Sequence, residues 1–146
     1  MIDFTLAVTH HVVVFALLAV LVAELALVRY GMDAAAVDAV GRIDLGYGAL
    51  AAIALAVGLA RAAYAAKGWD FYSHNLFFWL KLGAFVLIGV LSVPPTMKFI
   101  QWRRAQHVPT DAQIKSVRTY FWVELALFAV LPVCAAAMAR GYGYYA

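Results

Sequence analysis

The chain has one cysteine, Cys134, and only 13% charged residues among its 146 positions. A single cysteine excludes an intrachain disulfide framework, and the absence of C-x-x-C, H-E-x-x-H, Walker-type and G-x-G-x-x-G patterns removes the sequence signatures of thiol oxidoreductases, zinc hydrolases and nucleotide enzymes. The charge content is about half that of a soluble domain. With 66% hydrophobic residues and a mean hydropathy of +0.87, the chain is neither a water-soluble globule nor disordered. The sequence pI near 9.1 goes with a formal charge of only +3. Its basic residues fall in short clusters between apolar runs, which is a membrane-topology pattern and excludes a nucleic-acid partner.

Four apolar runs, about 4–28, 45–66, 76–97 and 117–139, are each long enough to cross a hydrocarbon core of ~30 Å at ~1.5 Å per residue. The expected fold is therefore all-α: a polytopic membrane four-helix up-and-down bundle forming a single domain over 1–146, in a lipid bilayer. The first run lacks a basic leading segment and is read as a mature span. Arg29, Arg42, Lys98, Arg103, Arg104, Lys115 and Arg118 belong to one side, against Lys67 and Arg140 on the other. The positive-inside rule then places the N and C termini outside. Trp69, Tyr72, Trp79, Trp102, Trp122 and Tyr142 lie near span ends, as expected of interfacial aromatics. Gly48, Ala52 and Ala56, or Ala54 and Gly58, fall at four-residue spacing that admits a neighbouring backbone, and predict a centrally packed second helix. Pro94 and Pro95 are expected to end or kink the third span, and Pro132 to free a carbonyl in the fourth.

Polar residues at membrane depth carry the functional reading. His10, His11, Glu24, Arg61, Lys81 and Glu124 all fall inside the apolar runs, where a central charge costs roughly 2.5–3.5 kcal/mol. Helical rise puts His10, Arg61 and Lys81 in one outer layer, ~8–9 Å deep. Glu24 and Glu124 form an inner carboxyl layer at similar depth from the other side, with Asp44 and Arg118 at its edge. His10 and Glu24 are 14 residues apart and share a helix face with Leu17 and Leu21. Snorkelling to the headgroups is the plain alternative for Arg61 and Lys81, and neutralisation for the two glutamates, by pairing with Arg42, with Arg118 or with each other's protonated form.

A histidine about two turns inside an apolar bundle, with small residues opposite and cations nearby, is the parts list of a haem b pocket. His10 would be the metal ligand, with His11 adjacent to it, while Arg61 and Lys81 would meet the propionates. The regularly spaced histidines of two-haem cytochromes are lacking, so one haem is the limit. No catalytic residue is assigned. The other reading is a non-catalytic accessory subunit or lipid-binding scaffold, as a homo-oligomer or part of a larger membrane complex.

Five stretches carry a likeness to known proteins: T-H-H-V-V-V-F-A-L-L-A (9–19), A-E-L-A-L (23–27), H-N-L-F-F-W-L-K-L (74–82), L-S-V-P-P-T (91–96) and V-E-L-A-L (123–127). Over nearly its whole length the chain resembles a family of short four-span bacterial membrane proteins of unknown function. That resemblance implies the fold and a multi-pass protein of the bacterial cytoplasmic (inner) membrane. A weaker likeness is to the HemJ-type protoporphyrinogen oxidases, small haem-binding bundles with an early histidine in the first span and a W-L-x-x-K-L-like third span. It implies counterparts at His10 or His11 and at Lys81. The A-L-L-A-V-L-V-A-E-L run after the histidines departs from the pattern of that group, so the resemblance bears on a haem site and not on a substrate.

Overall fold

The computed structural model describes residues 2–64 and 67–145. Its helices are α1 (Ile2–Leu27), α2 (Ala34–Tyr64), α3 (Gly68–Ser73), α4 (Leu76–Ala105), α5 (Asp111–Phe128) and α6 (Val130–Ala139). Four stretches are long and apolar enough to cross a membrane: α1, α2, α4, and α5 together with α6. The four-span, all-helical fold is thus the observed one. The expected end of the second run at Ala66 lies outside the described residues.

The helices outrun the apolar runs because capping, not hydropathy, sets their ends. Asp33 accepts a hydrogen bond from the Ala36 amide at 2.8 Å, so α2 starts eleven residues before the apolar run, and Asp44 sits well within the helix instead of at its edge. Thr110 and Gln113 form a reciprocal capping box that starts α5. The Pro94–Pro95 pair does not end the third span, since α4 continues through both to Ala105. Ser92 donates its hydroxyl to the Gly89 carbonyl at 2.8 Å, and the Thr96 hydroxyl oxygen lies 3.0 Å from the Ser92 carbonyl, around the missing proline donors.

Pro132 behaves differently. It cannot bond the carbonyl four residues back, at Phe128, and the helical hydrogen bonding of the fourth span is interrupted at Ala129 between α5 and α6, while the Ala129 backbone stays right-handed helical (φ −64°, ψ −22°). Below the break α5 packs on both α1 and α4, while α1 packs on α2 and α2 on α4, closing a four-sided ring. Above it α6 packs on α4, with no close backbone packing against α1 or α2 among the described residues. The bundle is therefore closed in its inner half and splayed in its outer half.

The closed half holds the core: Leu21, Val28, Val40, Phe99, Ile114, Val117 and Phe121 are all nearly or fully buried. Trp102 joins them, edge-on to Phe99 at 5.7 Å, and is thus a core residue and not an interfacial anchor. Large apolar residues such as Val12, Val86, Val90 and Val133 point outward on every side, as lipid contact requires. The stripe of Gly48, Ala52 and Ala56 also faces outward, so α2 occupies a side of the ring and not its centre, and the Ala54–Gly58 stripe makes the helix contact instead.

Basic residues tie the inner end together. Arg118 of α5 donates Nη1 to the Leu25 carbonyl at 2.8 Å and also to that of Val28, satisfying the last carbonyls of α1, where a cation is favoured. Asp38 pairs with Arg42 and accepts from Arg103 Nε at 2.8 Å. Because the basic residues cluster at this end, a reporter fused after Ala146 should be active only on the non-cytoplasmic side. Cytoplasmic labelling of that terminus would overturn the orientation.

Candidate functional site: an outer pocket and an inner carboxyl layer

The splay opened by Pro132 leaves a cavity of about 770 Å³ between α1, α2, α4 and α6, within the usual size range of ligand sites. His10, His11, Arg61 and Lys81 all line it. The three residues singled out by depth, His10, Arg61 and Lys81, are thus brought together from three helices, with His11 beside them. The floor and walls are apolar, with Leu18, Ala54, Phe85, Leu125, Phe128 and Leu131 among them, and among the described residues no carboxylate lines the cavity.

His10 is held by its place on the buried face of α1, above Leu17, Leu21 and Glu24, which are 0 to 1% exposed. Its ring lies against Gly58 of α2, where a Cβ would come within 3.1 Å of Cε1. Glycine at 58 thus gives the ring its space. His10 Nδ1 is buried with no hydrogen-bond partner among the described residues, and so is Arg61 Nε. Buried polar atoms are nearly always paired, so two orphans in one cavity mark an unfinished hydrogen-bond network. His11, about 100° round the helix, is exposed and bonds the Ala7 carbonyl through Nδ1 at 2.6 Å.

The outer end of the cavity is roofed by elements that hydropathy does not reveal. Lys67, Phe71 and Tyr72, at and within α3, also line it, with Lys67 Nζ lying 4.2 Å from the Phe71 ring centroid. The C-terminal tail folds over α3. Buried Asn75 donates to the Tyr142 carbonyl at 3.0 Å, Leu76 N bonds Gly143 O at 2.8 Å, and Tyr145 N bonds His74 O at 3.0 Å. Gly143 makes this possible, with φ of +75° and the Phe77 ring where a side chain would be. Lys67 was visible in sequence only as a loop cation; its role as a third pocket cation needed the fold. His74 and His107 are engaged locally, with the Asp70 carbonyl and the Gln113 side chain.

The inner layer is separate from the pocket. Glu24 and Glu124 are fully buried and Asp44 is 4% exposed, on α1, α5 and α2 respectively. Tyr47 donates to Glu124 Oε2 at 3.2 Å and Thr96 to Asp44 Oδ1 at 3.0 Å, whereas both Glu24 oxygens and Glu124 Oε1 have no partner among the described residues. Pairing with Arg42 or Arg118 does not occur, because Arg42 bonds Asp38 and Arg118 caps α1. Tyr47 as the partner of Glu124 could not be foreseen, since the two are 77 residues apart. Among the described residues no three His, Cys, Asp or Glu side chains are grouped to hold a metal ion. Leu17, Leu21 and Ile88, each at most 2% exposed, form an apolar plug along the stripes that link the two layers.

No curated protein and no solved structure matches the chain. A family model does match residues 2–143, and its description agrees with four apolar helices whose outward faces suit lipid: the chain belongs to the predicted membrane protein family DUF2214.

Proposed function

We propose that the outer pocket binds one haem b or a related tetrapyrrole, and that the protein serves membrane redox or tetrapyrrole chemistry. The observation that carries this reading is the convergence of His10 and Arg61, each with an unpartnered nitrogen, and of Lys81 in a cavity that no carboxylate lines among the described residues. The residues present fit such a group. An imidazole is the usual axial ligand, the apolar walls exclude water from a macrocycle, and the cations offer charge-assisted bonds to two carboxylates. Gly58 positions the His10 ring, and Lys67 adds a third positive charge at the outer end. When bound, the iron would supply one-electron chemistry, while the chain's part is to hold, orient and shield it. The weaker likeness of the first and third spans to HemJ-type proteins is in line with this reading.

The test is the absorption spectrum of the purified protein, as isolated and after addition of haemin. A Soret band that shifts on reduction supports the proposal, and a protein that stays colourless under both conditions overturns it. Arg61→Ala and Lys81→Ala should keep the band but loosen retention by roughly tenfold to a hundredfold each, the worth of one charge-assisted bond of about 1.5–3 kcal/mol. Unchanged retention in both variants would return the two side chains to a snorkelling role.

The second reading, a lipid-binding scaffold or accessory subunit, is favoured by one observation: the pocket is open beside α1, where lining residue Phe15 is 68% exposed. A colourless protein that purifies with a stoichiometric lipid would select it.

A further inference from the structure

We infer that the outer pocket is loaded sideways from the bilayer, through a cleft between α1 and α6, and that it takes an amphiphile whose head carries an acidic group. The inference rests on the reading of this pocket as a ligand site. It adds the route and the chemical class, for a tetrapyrrole dicarboxylate and a fatty acid alike.

The cleft follows from the backbone. α5 packs on α1, but beyond the break at Ala129 no close backbone packing joins α6 to α1 or α2 among the described residues. Both edges of the gap nevertheless line the cavity. On α1 these are the exposed His11 and Phe15, and on α6 they are Pro132 and Ala139, also exposed. A cavity whose lining residues are accessible from the flank of a membrane helix opens to lipid. The small side chains at Ala135 and Ala139 keep that opening wide.

The aqueous end is covered by chain. α3 packs on both α2 and α4 there, and the tail is bonded to the α3–α4 junction at His74, Asn75 and Leu76. A ligand dissolved in the membrane needs no passage through this roof, whereas one arriving from water would have to pass it.

Charge selects the head group. Among the described residues Lys67, Arg61 and Lys81 are the charged side chains that line the cavity, no carboxylate balances them, and all lie toward its outer end. An acidic head sliding in at headgroup level reaches them without crossing the hydrocarbon core, and its apolar body then lies along Leu18, Phe85 and Phe128. A neutral amphiphile would leave the half-buried Arg61 and Lys81 without a counter-charge in a largely apolar cavity.

The test closes the cleft. Val8 and Ala136 are exposed, lie one helical step outside the lining stripes on the cleft edges of α1 and α6, and are not pocket residues. The variant Val8→Cys/Ala136→Cys, with Cys134→Ala to remove the native thiol, is placed in phosphatidylcholine vesicles and joined by a bifunctional thiol cross-linker. Two probes are offered in the membrane, haem followed by absorbance and radiolabelled palmitate, each beside its methyl ester. The expected result is that one acid loads the uncross-linked variant, that its ester binds about tenfold or more weakly, and that cross-linking slows both loading and release about tenfold or more. Loading of haem alone identifies a tetrapyrrole source, and loading of palmitate alone a lipid source. Equal loading rates with and without the cross-link overturn the route while leaving the site intact, and equal binding of acid and ester overturns the head-group class. If neither acid binds the wild-type protein, the pocket reading fails and this inference falls with it.

Discussion

Glu24→Leu should stabilise the protein in detergent, raising its thermal midpoint, even though it removes an acidic residue from the middle of the fold. Glu24 is completely buried on α1, with no partner at either carboxyl oxygen. An unsatisfied buried polar group costs about 1–3 kcal/mol, and an apolar side chain of similar size removes that cost and packs with Leu21 and Leu25. Tyr47→Phe should act in the opposite direction by a similar amount. It deletes the 3.2 Å bond to Glu124 Oε2 and leaves that fully buried carboxyl with no side-chain partner. A pair of thermal melts, or of denaturant titrations, decides the matter. If Glu24→Leu lowers the midpoint, the Glu24 oxygens have partners in the membrane, ordered water being the obvious one, and the account of an unsatisfied layer is wrong. If it raises the midpoint as expected, stability is not what keeps glutamate there, and its use must be sought in function.

The second large effect is spectroscopic and depends on the proposed haem site. His10→Ala should abolish the Soret band or change it in kind, since no other imidazole lines the cavity from α2, α4 or α6 and a thioether or amine in its place would shift the band. His11 is the other imidazole in the lining, at 6.2 Å between ring centroids. Its ring points away from α2 and is committed to the Ala7 carbonyl, so His11→Ala should leave the spectrum nearly unchanged. The double variant guards against His11 taking over when His10 is lost. A wild-type spectrum in His10→Ala/His11→Ala would end the haem proposal, whatever the lipid-binding experiments show. Gly58→Leu offers an independent check that leaves every nitrogen in place. Its side chain would occupy the space of the His10 ring, so the band should be lost or altered there as well.

The sequence by itself determined the solvent, the number of spans and the depth of each polar residue, because in hydrocarbon the backbone must be helical and apolar length is counted directly along the chain. It also determined which residues share a face. The stripe of His10, Leu17, Leu21 and Glu24 is the buried face of α1, since helical period is a local property. The tertiary structure decided which face meets which helix, and hydropathy is silent on that because lipid and protein interior are equally apolar. Thus Ala54 and Gly58 meet α1 while Gly48, Ala52 and Ala56 face outward, and Trp102 lies in the core, although each candidate looked alike in sequence. Partners distant along the chain were likewise set by the fold: Tyr47 with Glu124, Arg118 with the end of α1, and the tail with Asn75. The prolines make the division plain. Pro94 and Pro95 are absorbed into a continuous α4, whereas Pro132 breaks its span and opens the pocket. A proline always removes one backbone donor, but whether the helix bends depends on what surrounds it, and that is a property of the packed bundle alone.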